Sequence, residues 1–250
     1  MLRKFIAASA VALLSTAVTP AQTVPVKNIV IVHGAFADGS GWRRVADILG
    51  KDGYTVSVVQ EPLTSLADDV AATKRVLDLQ QGPTILVGHS YGGAVVTEAG
   101  NAPNVAGLVY IAAFIPDQGD SVVGLLSTFP PANNDMRATK DDFLYIDPAA
   151  FPADFAADLP QEQAKFMAHS QPVLAKAAGG APVTAAAWRQ KKSWALVATN
   201  DHNINPDLER SMAKHAGSEI IEVPASHAVY ISKPIDVARL IERAAKASAR

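Results

Sequence analysis

Thr84-Ile85-Leu86-Val87-Gly88-His89-Ser90-Tyr91-Gly92-Gly93 is the stretch from which the fold can be read. The apolar run from Thr84 to Val87 spells a buried strand, and Gly92 to Ala99 spells a helix. Between them a serine occupies a sharp strand-to-helix turn. Gly88 and Gly92 carry no Cβ, so the two elements can approach without collision. Such a turn lifts the Ser90 side chain to the edge of a sheet. It also sets the next backbone N–H, that of Tyr91, at a helix N-terminus, where negative charge is favoured. Acyl transfer through a serine uses both features.

The same rhythm extends outward in both directions. Asn28 to Val32, Thr55 to Val59, Val105 to Ala112, Trp194 to Ala198 and Glu219 to Val223 read as further strands. Trp42 to Leu49, Ser65 to Leu79, about Pro206 to Ala216, and Ile235 to Ala245 read as amphipathic helices between or after them. In the second of these, Leu66, Val70 and Leu77 share a face, and Asp68 and Asp69 precede Lys74 and Arg75, as the helix dipole favours. Asp38 or Ser40 is available to start the first. Strands alternating with helices predict an α/β fold, a mainly parallel six-stranded sheet with helices on both faces. The stretch from about Asp117 to Lys192 breaks the rhythm. It is rich in Ala and Pro and carries Phe129, Phe143, Tyr145, Phe151, Phe155 and Phe166. A structureless loop of that length is unusual in a compact domain. It reads as a mostly helical cap inserted between the fourth and fifth strands, at the carboxyl edge of the sheet.

Composition narrows the function. The 250 residues have a formal net charge of -2 and are 49% hydrophobic, enough for a large core. So balanced a charge argues against nucleic acid or an anionic membrane as partner. There is no cysteine, hence no disulfide, thiolate metal site or cysteine nucleophile. No pair of histidines has ligand-like spacing with carboxylates, and no Gly-rich nucleotide loop is seen, so neither metal nor cofactor is expected. Arg3 and Lys4, then an apolar run from Phe5 to Val18 and Thr19-Pro20-Ala21, form a signal-peptide pattern. The run is shorter than the roughly 20 residues that span a bilayer. Residues 1–21 are therefore expected to be a signal peptide, leaving 22–250 as one exported domain, periplasmic or secreted.

Gly88 to Gly93 resembles the nucleophile elbow of the α/β-hydrolase family. His33-Gly34-Ala35-Phe36, just after the first strand, resembles that family's oxyanion loop. The pair of motifs looks most like small bacterial esterases related to plant methylesterases and hydroxynitrile lyases. The similarity runs from about Lys27 to Lys246 and is weakest in the cap. It implies that the first and third strands lie side by side with the second outside them, and ligands bind at such a reversal point. It assigns Ser90 as nucleophile, the backbones of Ala35 and Tyr91 as oxyanion donors, and His227, in the loop after the last strand, as base. Asp201, after the fifth strand, matches the family position of the acid. Asp117, after the fourth, is where some members carry it instead. Of the other five histidines, His33 should be hydrogen-bonded structure and His89 should point into the packing below the elbow. His169 falls in the cap, His202 beside Asp201 and His215 on a helix. Gly34, Phe36, Trp42 and Phe114 are candidates for the substrate pocket, the aromatics equally for ordinary core.

These assignments imply a cofactor-free ester hydrolase acting through an acyl-serine on a small apolar ester or lactone. Two other readings stay open. A protein of this fold without catalysis would bind and not turn over. A hydroxynitrile lyase shares fold and triad, but that branch has Thr after the His that ends the first strand and Lys after the catalytic His. Here those positions hold Gly34 and Ala228.

Overall fold

The computed structural model describes residues 24–133 and 135–249. The expected signal segment, residues 1–21, lies outside them. The chain runs β1 (Asn28–Val32), α1 (Arg43–Lys51), β2 (Thr55–Val59), α2 (Leu66–Asp78), β3 (Thr84–Ser90), α3 (Gly92–Ala99) and β4 (Val105–Ala113). After a long insertion it resumes with β8 (Ser193–Ala198), α8 (Pro206–His215), β9 (Glu219–Val223), α9 (Val229–Ser232) and α10 (Pro234–Ala247). The main sheet has the order β2-β1-β3-β4-β8-β9, and every neighbouring pair in it is parallel. The reversal expected between the first and third strands is there.

Side chains alternate between the faces of a strand, and the two cores follow that period. Val30, Val32 and Leu86 point into one core with Val70 and Leu77 of α2, Val95 of α3 and Leu208 of α8. Ile29, Ile31, Ile85 and Val87 point into the other with Leu49 of α1 and Val237, Leu240 and Ile241 of α10. Strands apolar on both faces are what a sheet covered on both sides requires. Helix starts follow the local chemistry. Ser65 Oγ accepts the N–H of Asp68 and caps α2. Asp38 accepts the N–H of Ser40 and opens a 3-10 turn, Gly39–Trp42, that leads into α1.

The insertion departs from the sequence expectation. It holds α4 (Val122–Thr128), β5 (Met136–Ala138), β6 (Phe143–Ile146), α5 (Phe151–Asp154), α6 (Gln161–Ser170), β7 (Leu174–Ala175) and α7 (Lys176–Gly180). Three of these form a small antiparallel sheet, β5-β6-β7. This small sheet is the departure; the rest of the cap's regular structure is helical. Strands of two to four residues carry too little period to be read from sequence, and tertiary pairing decides them.

Close packing at the elbow places the first and third strands' loops in register with each other. A Cβ on Gly92 would stand 2.4 Å from the carbonyl oxygen of His33 and 2.8 Å from that of Val32. Both obstacles are backbone and cannot swing aside. Gly92→Ala should therefore cost about 1–3 kcal/mol in urea unfolding, as overpacking does. Gly50→Ala, in α1 with nothing within 4 Å of its added Cβ, should instead be neutral or slightly stabilising. Equal stability for the two variants would show that the elbow has slack.

Candidate active site

β3 ends in Ser90, whose φ of +52° lies in a region non-glycine residues rarely occupy. The turn is fixed from outside: the N–H of Phe114 donates to the Ser90 carbonyl at 3.1 Å. Ser90 is nearly buried, and its Oγ donates to His227 Nε2 at 2.9 Å. His227 Nδ1 in turn donates to Asp201 Oδ2 at 2.5 Å. The other oxygen of Asp201 accepts the N–H groups of Asn203 at 2.7 Å and Ile204 at 2.9 Å. The carboxylate is thus held from both sides, and the imidazole is held with its free nitrogen toward the serine. His227 and Asp201 are each about as buried as core residues.

The other candidates divide. Asp117 is engaged elsewhere: Arg189 grips it with Nε at 2.8 Å and with Nη2, and His215 Nε2 donates to it at 3.0 Å. The guanidinium holds the Asp117 carboxyl far below the usual carboxylate range. Geometry brings Asp201, not Asp117, to His227. His33 Nδ1 donates to the Gly34 carbonyl at 2.8 Å while its Nε2 accepts the N–H of Glu61 at 3.1 Å, so its ring is tied into the loop. Burial keeps His33 neutral to lower pH than usual. His89 is fully buried below the elbow and donates from Nε2 to the carbonyl of His227 at 3.0 Å. Burial lowers its pKa strongly. His202 donates to the carbonyl of Ala153 at 3.2 Å, and His169 ends α6. Among the described residues no group of three His, Cys, Asp or Glu side chains is placed to hold a metal ion.

Ser90 and His227 open into a narrow cavity of about 60 Å³ that Ala35, Phe36, Tyr91 and Phe114 also line. Val122, Leu126, Leu144 and Leu174 of the cap make much of the remaining wall, with Asn203 and Ile204 from the loop after β8. A larger groove of about 470 Å³ runs along α6 without touching Ser90, so chemistry and not volume marks the site. Trp42 does not line the cavity. It is fully buried on the far side of the sheet, stacked on Tyr230 with ring centroids 4.7 Å apart. Gly34 serves packing rather than open space: an added Cβ would meet Ser90 Cβ at 2.7 Å and His89 Nδ1 at 2.9 Å.

Sequence reasoning missed what holds the His227 loop. Phe155 of the cap sets its ring edge-on to His227 with centroids 4.8 Å apart and stacks on Phe151. Its carbonyl accepts the N–H of Ala228 at 2.9 Å. Asp158 accepts the hydroxyl and the N–H of Ser226 at 2.5 and 3.1 Å. Asn203, beside the acid, donates to the carbonyl of Asp154 at 2.7 Å. The cap's aromatics were visible as a cluster, but their partner was not.

With this geometry in place, comparison with known proteins is informative. Residues 29–240 match the model of the alpha/beta hydrolase family. The chain belongs to the α/β-hydrolase family. This hydrolase is 35% identical over 119 residues to a carbendazim-hydrolysing esterase from Nocardioides sp. (strain SG-4G). That alignment covers 42% of the chain and 49% of the relative, so the chain spans about half the length of that relative. It is 25% identical over 252 residues to the α/β-hydrolase nvfD of Aspergillus novofumigatus, covering 87% of the chain and 96% of the relative. In fold it is similar to a pyrethroid hydrolase from Sphingobium faniae JZ-2, with a TM-score of 0.76 at 22% identity, over 89% and 98% of the two chains.

Beneath the oxyanion loop the hydrolase buries a second set of acids. Tyr91 donates its hydroxyl to Asp69 at 2.7 Å, and Asp69 also accepts the N–H of Leu63 at 2.8 Å. Glu61 beside them is buried with neither carboxyl oxygen hydrogen-bonded. Burial, reinforced by Asp69, pushes its pKa well above the carboxylate range. A carboxyl that binds its proton more tightly folded than unfolded lends stability below its unfolded pKa, and that contribution is lost as pH rises toward the folded value. Glu61→Gln, neutral throughout, should therefore lose less melting temperature than the wild type between about pH 4.5 and 8. Parallel melting curves across that range would mean Glu61 is ionised in the fold.

Proposed function

We propose that this hydrolase is a cofactor-free carboxylic-ester hydrolase that works through an acyl-serine intermediate. The observation that carries the reading is the relay of 2.9 and 2.5 Å from Ser90 through His227 to Asp201, at the floor of an apolar cavity. A serine hydroxyl is a weak nucleophile until a base takes its proton. His227 Nε2 takes the proton as Oγ attacks the ester carbonyl, and Asp201 favours the imidazolium and fixes its tautomer. The backbone N–H groups of Ala35 and Tyr91 would receive the carbonyl oxygen as it gains charge, each worth about 3 kcal/mol of barrier. His227 returns the proton to the leaving alcohol. Water then attacks the acyl carbonyl while giving a proton to the same nitrogen, the Oγ–acyl bond breaks to release the acid, and His227 returns that proton to Ser90 Oγ.

The substrate is a small molecule whose group at Ser90 is small or moderately sized and apolar, either an ester or a lactone. The narrow, cap-walled cavity favours this. So does similarity to proteins named for hydrolysing carbendazim and pyrethroids. Ser90→Ala should fold normally, lower ester hydrolysis by several orders of magnitude, and abolish labelling by a fluorophosphonate probe. Asp201→Asn should cost far more turnover than Asp117→Asn. Retained activity in Ser90→Ala, or the opposite order for the two aspartates, refutes the assignment.

Hydrolysis is favoured over cyanohydrin cleavage by what surrounds the triad. Departing cyanide in a dry pocket needs a nearby positive charge. Ala228 follows the base and supplies none, and it is fully buried under Phe155. Offered mandelonitrile and a p-nitrophenyl ester in parallel, the enzyme should cleave the ester and release negligible cyanide. Efficient Ser90-dependent cyanide release with little ester cleavage would reverse the choice.

A further inference from the structure

Asp201 has a buried neighbour that the acyl-transfer steps leave unused. Glu209 lies in the first turn of α8, and its N–H donates to the carbonyl of Asn205 at 3.1 Å. Its side chain turns inward and is 2% exposed as a residue. Glu209 Oε2 accepts the N–H of Ala198, the last residue of β8, at 3.3 Å, and Oε1 has no partner. The N–H of Asp201 donates to the carbonyl of that same Ala198 at 3.1 Å, so the two carboxyls hang from one residue. Two carboxylates packed side by side without water cannot both ionise.

Which of them keeps the charge follows from their partners. Asp201 accepts two backbone N–H groups and faces the imidazole N–H of His227. Glu209 accepts one longer bond. The groups around Glu209 are Asp201 on the β8–α8 loop, His227 beyond it on the β9–α9 loop, and Arg210 on α8 itself. Arg210 is committed to Asp207 and, from Nη2 at 2.8 Å, to Glu222 on β9. Burial and the Asp201 charge both push the Glu209 carboxyl well above its ordinary range.

From this geometry we infer that Glu209 is a positioning residue of the triad, a neutral carboxylic acid that turns its O–H to Asp201. The inference rests on the proposed Ser90–His227–Asp201 mechanism. With Glu209 neutral the site carries one negative charge behind His227. The O–H shares in that charge, so Asp201 pulls less strongly on the imidazolium that forms during acyl transfer. A second, ionised carboxyl in its place would hold His227 protonated to higher pH and close the lower end of the activity range.

The test is the pH profile of kcat/KM for ester hydrolysis, with Ser90→Ala as control. Glu209→Gln keeps a neutral donor and should leave the acid limb in place, with kcat/KM within about threefold of wild type. Glu209→Leu removes the donor and should shift the acid limb to higher pH by about one unit. A downward shift in Glu209→Gln would show that Glu209 is ionised in the wild type and overturn the inference. So would an unmoved limb in Glu209→Leu with only a lower melting temperature. Should Glu209→Leu fail to fold, infrared difference spectra at neutral pH decide. A protonated-carboxyl band present in wild type and absent in Glu209→Gln supports the inference, and no such band refutes it. Activity that survives in Ser90→Ala would indict the triad reading instead, a separate failure.

Discussion

Ser90 is held at a positive φ because the backbone around it has nowhere else to go. Carbonyls of Val32 and His33 pack on Gly92, and the carbonyl of Phe114 would stand 2.1 Å from a Cβ on Gly93. On the other side, Gly34 fits against Ser90 and His89 only because it has no side chain. The loops after β1, β3 and β4 are therefore one packed unit. Backbone strain of this kind costs about 1–3 kcal/mol and persists only where surroundings over-determine it. The loop of Gly34 to Phe36 and Ser90 share that unit, so their spacing is set by core packing and not by flexible side chains. The base loop is joined to it by the hydrogen bond from His89 to the carbonyl of His227.

Charge around the site follows one pattern. The enzyme buries carboxyls on both sides of the relay, Glu61 and Asp69 below Tyr91, and Glu209 beside Asp201. In each pair one member has several donors and the other is poorly supplied. Poorly supplied carboxyls in a dry interior take a proton in preference to standing as unpaired ions. Desolvated donors and charges act more strongly than the same groups in water. The arrangement thus supplies hydrogen-bonding capacity near the reacting atoms without stacking negative charge against His227.

Much of this was legible in the sequence because the signals involved are local and redundant. Strands apolar on both faces, caps such as Ser65, and the Gly88–Gly93 turn each announce themselves within ten residues. The order of the first three strands came from the family resemblance, and right-handed crossovers only restricted the topology. The cap was not legible in the same way. Its strands are two to four residues long, too short for their period to show, and tertiary pairing decides them. Aromatic residues were ambiguous for a related reason. Trp42 and Phe36 are six residues apart, yet one is core and the other faces the cavity. Composition cannot say which. Asp117 and Asp201 each follow a strand, and only the partners found in three dimensions, Arg189 and His227, separate them.

The least legible segment, the cap, is also the one that packs on His227 and its loop. An imidazole that must accept, hold and return a proton needs its orientation fixed on both faces. His89 supplies one fixed neighbour from the core, with ring centroids 4.6 Å from those of His227, and Phe155 supplies the other from the cap. Asp158 holds Ser226 and the Phe155 carbonyl holds Ala228, so the residues on either side of His227 are both anchored to the insertion. The same insertion provides the apolar wall that shapes the cavity. The wall and the anchors of the His227 loop thus belong to one insertion but to different residues of it. Change confined to Val122, Leu126 or Leu144, which touch the cavity but not the base loop, leaves those anchors intact.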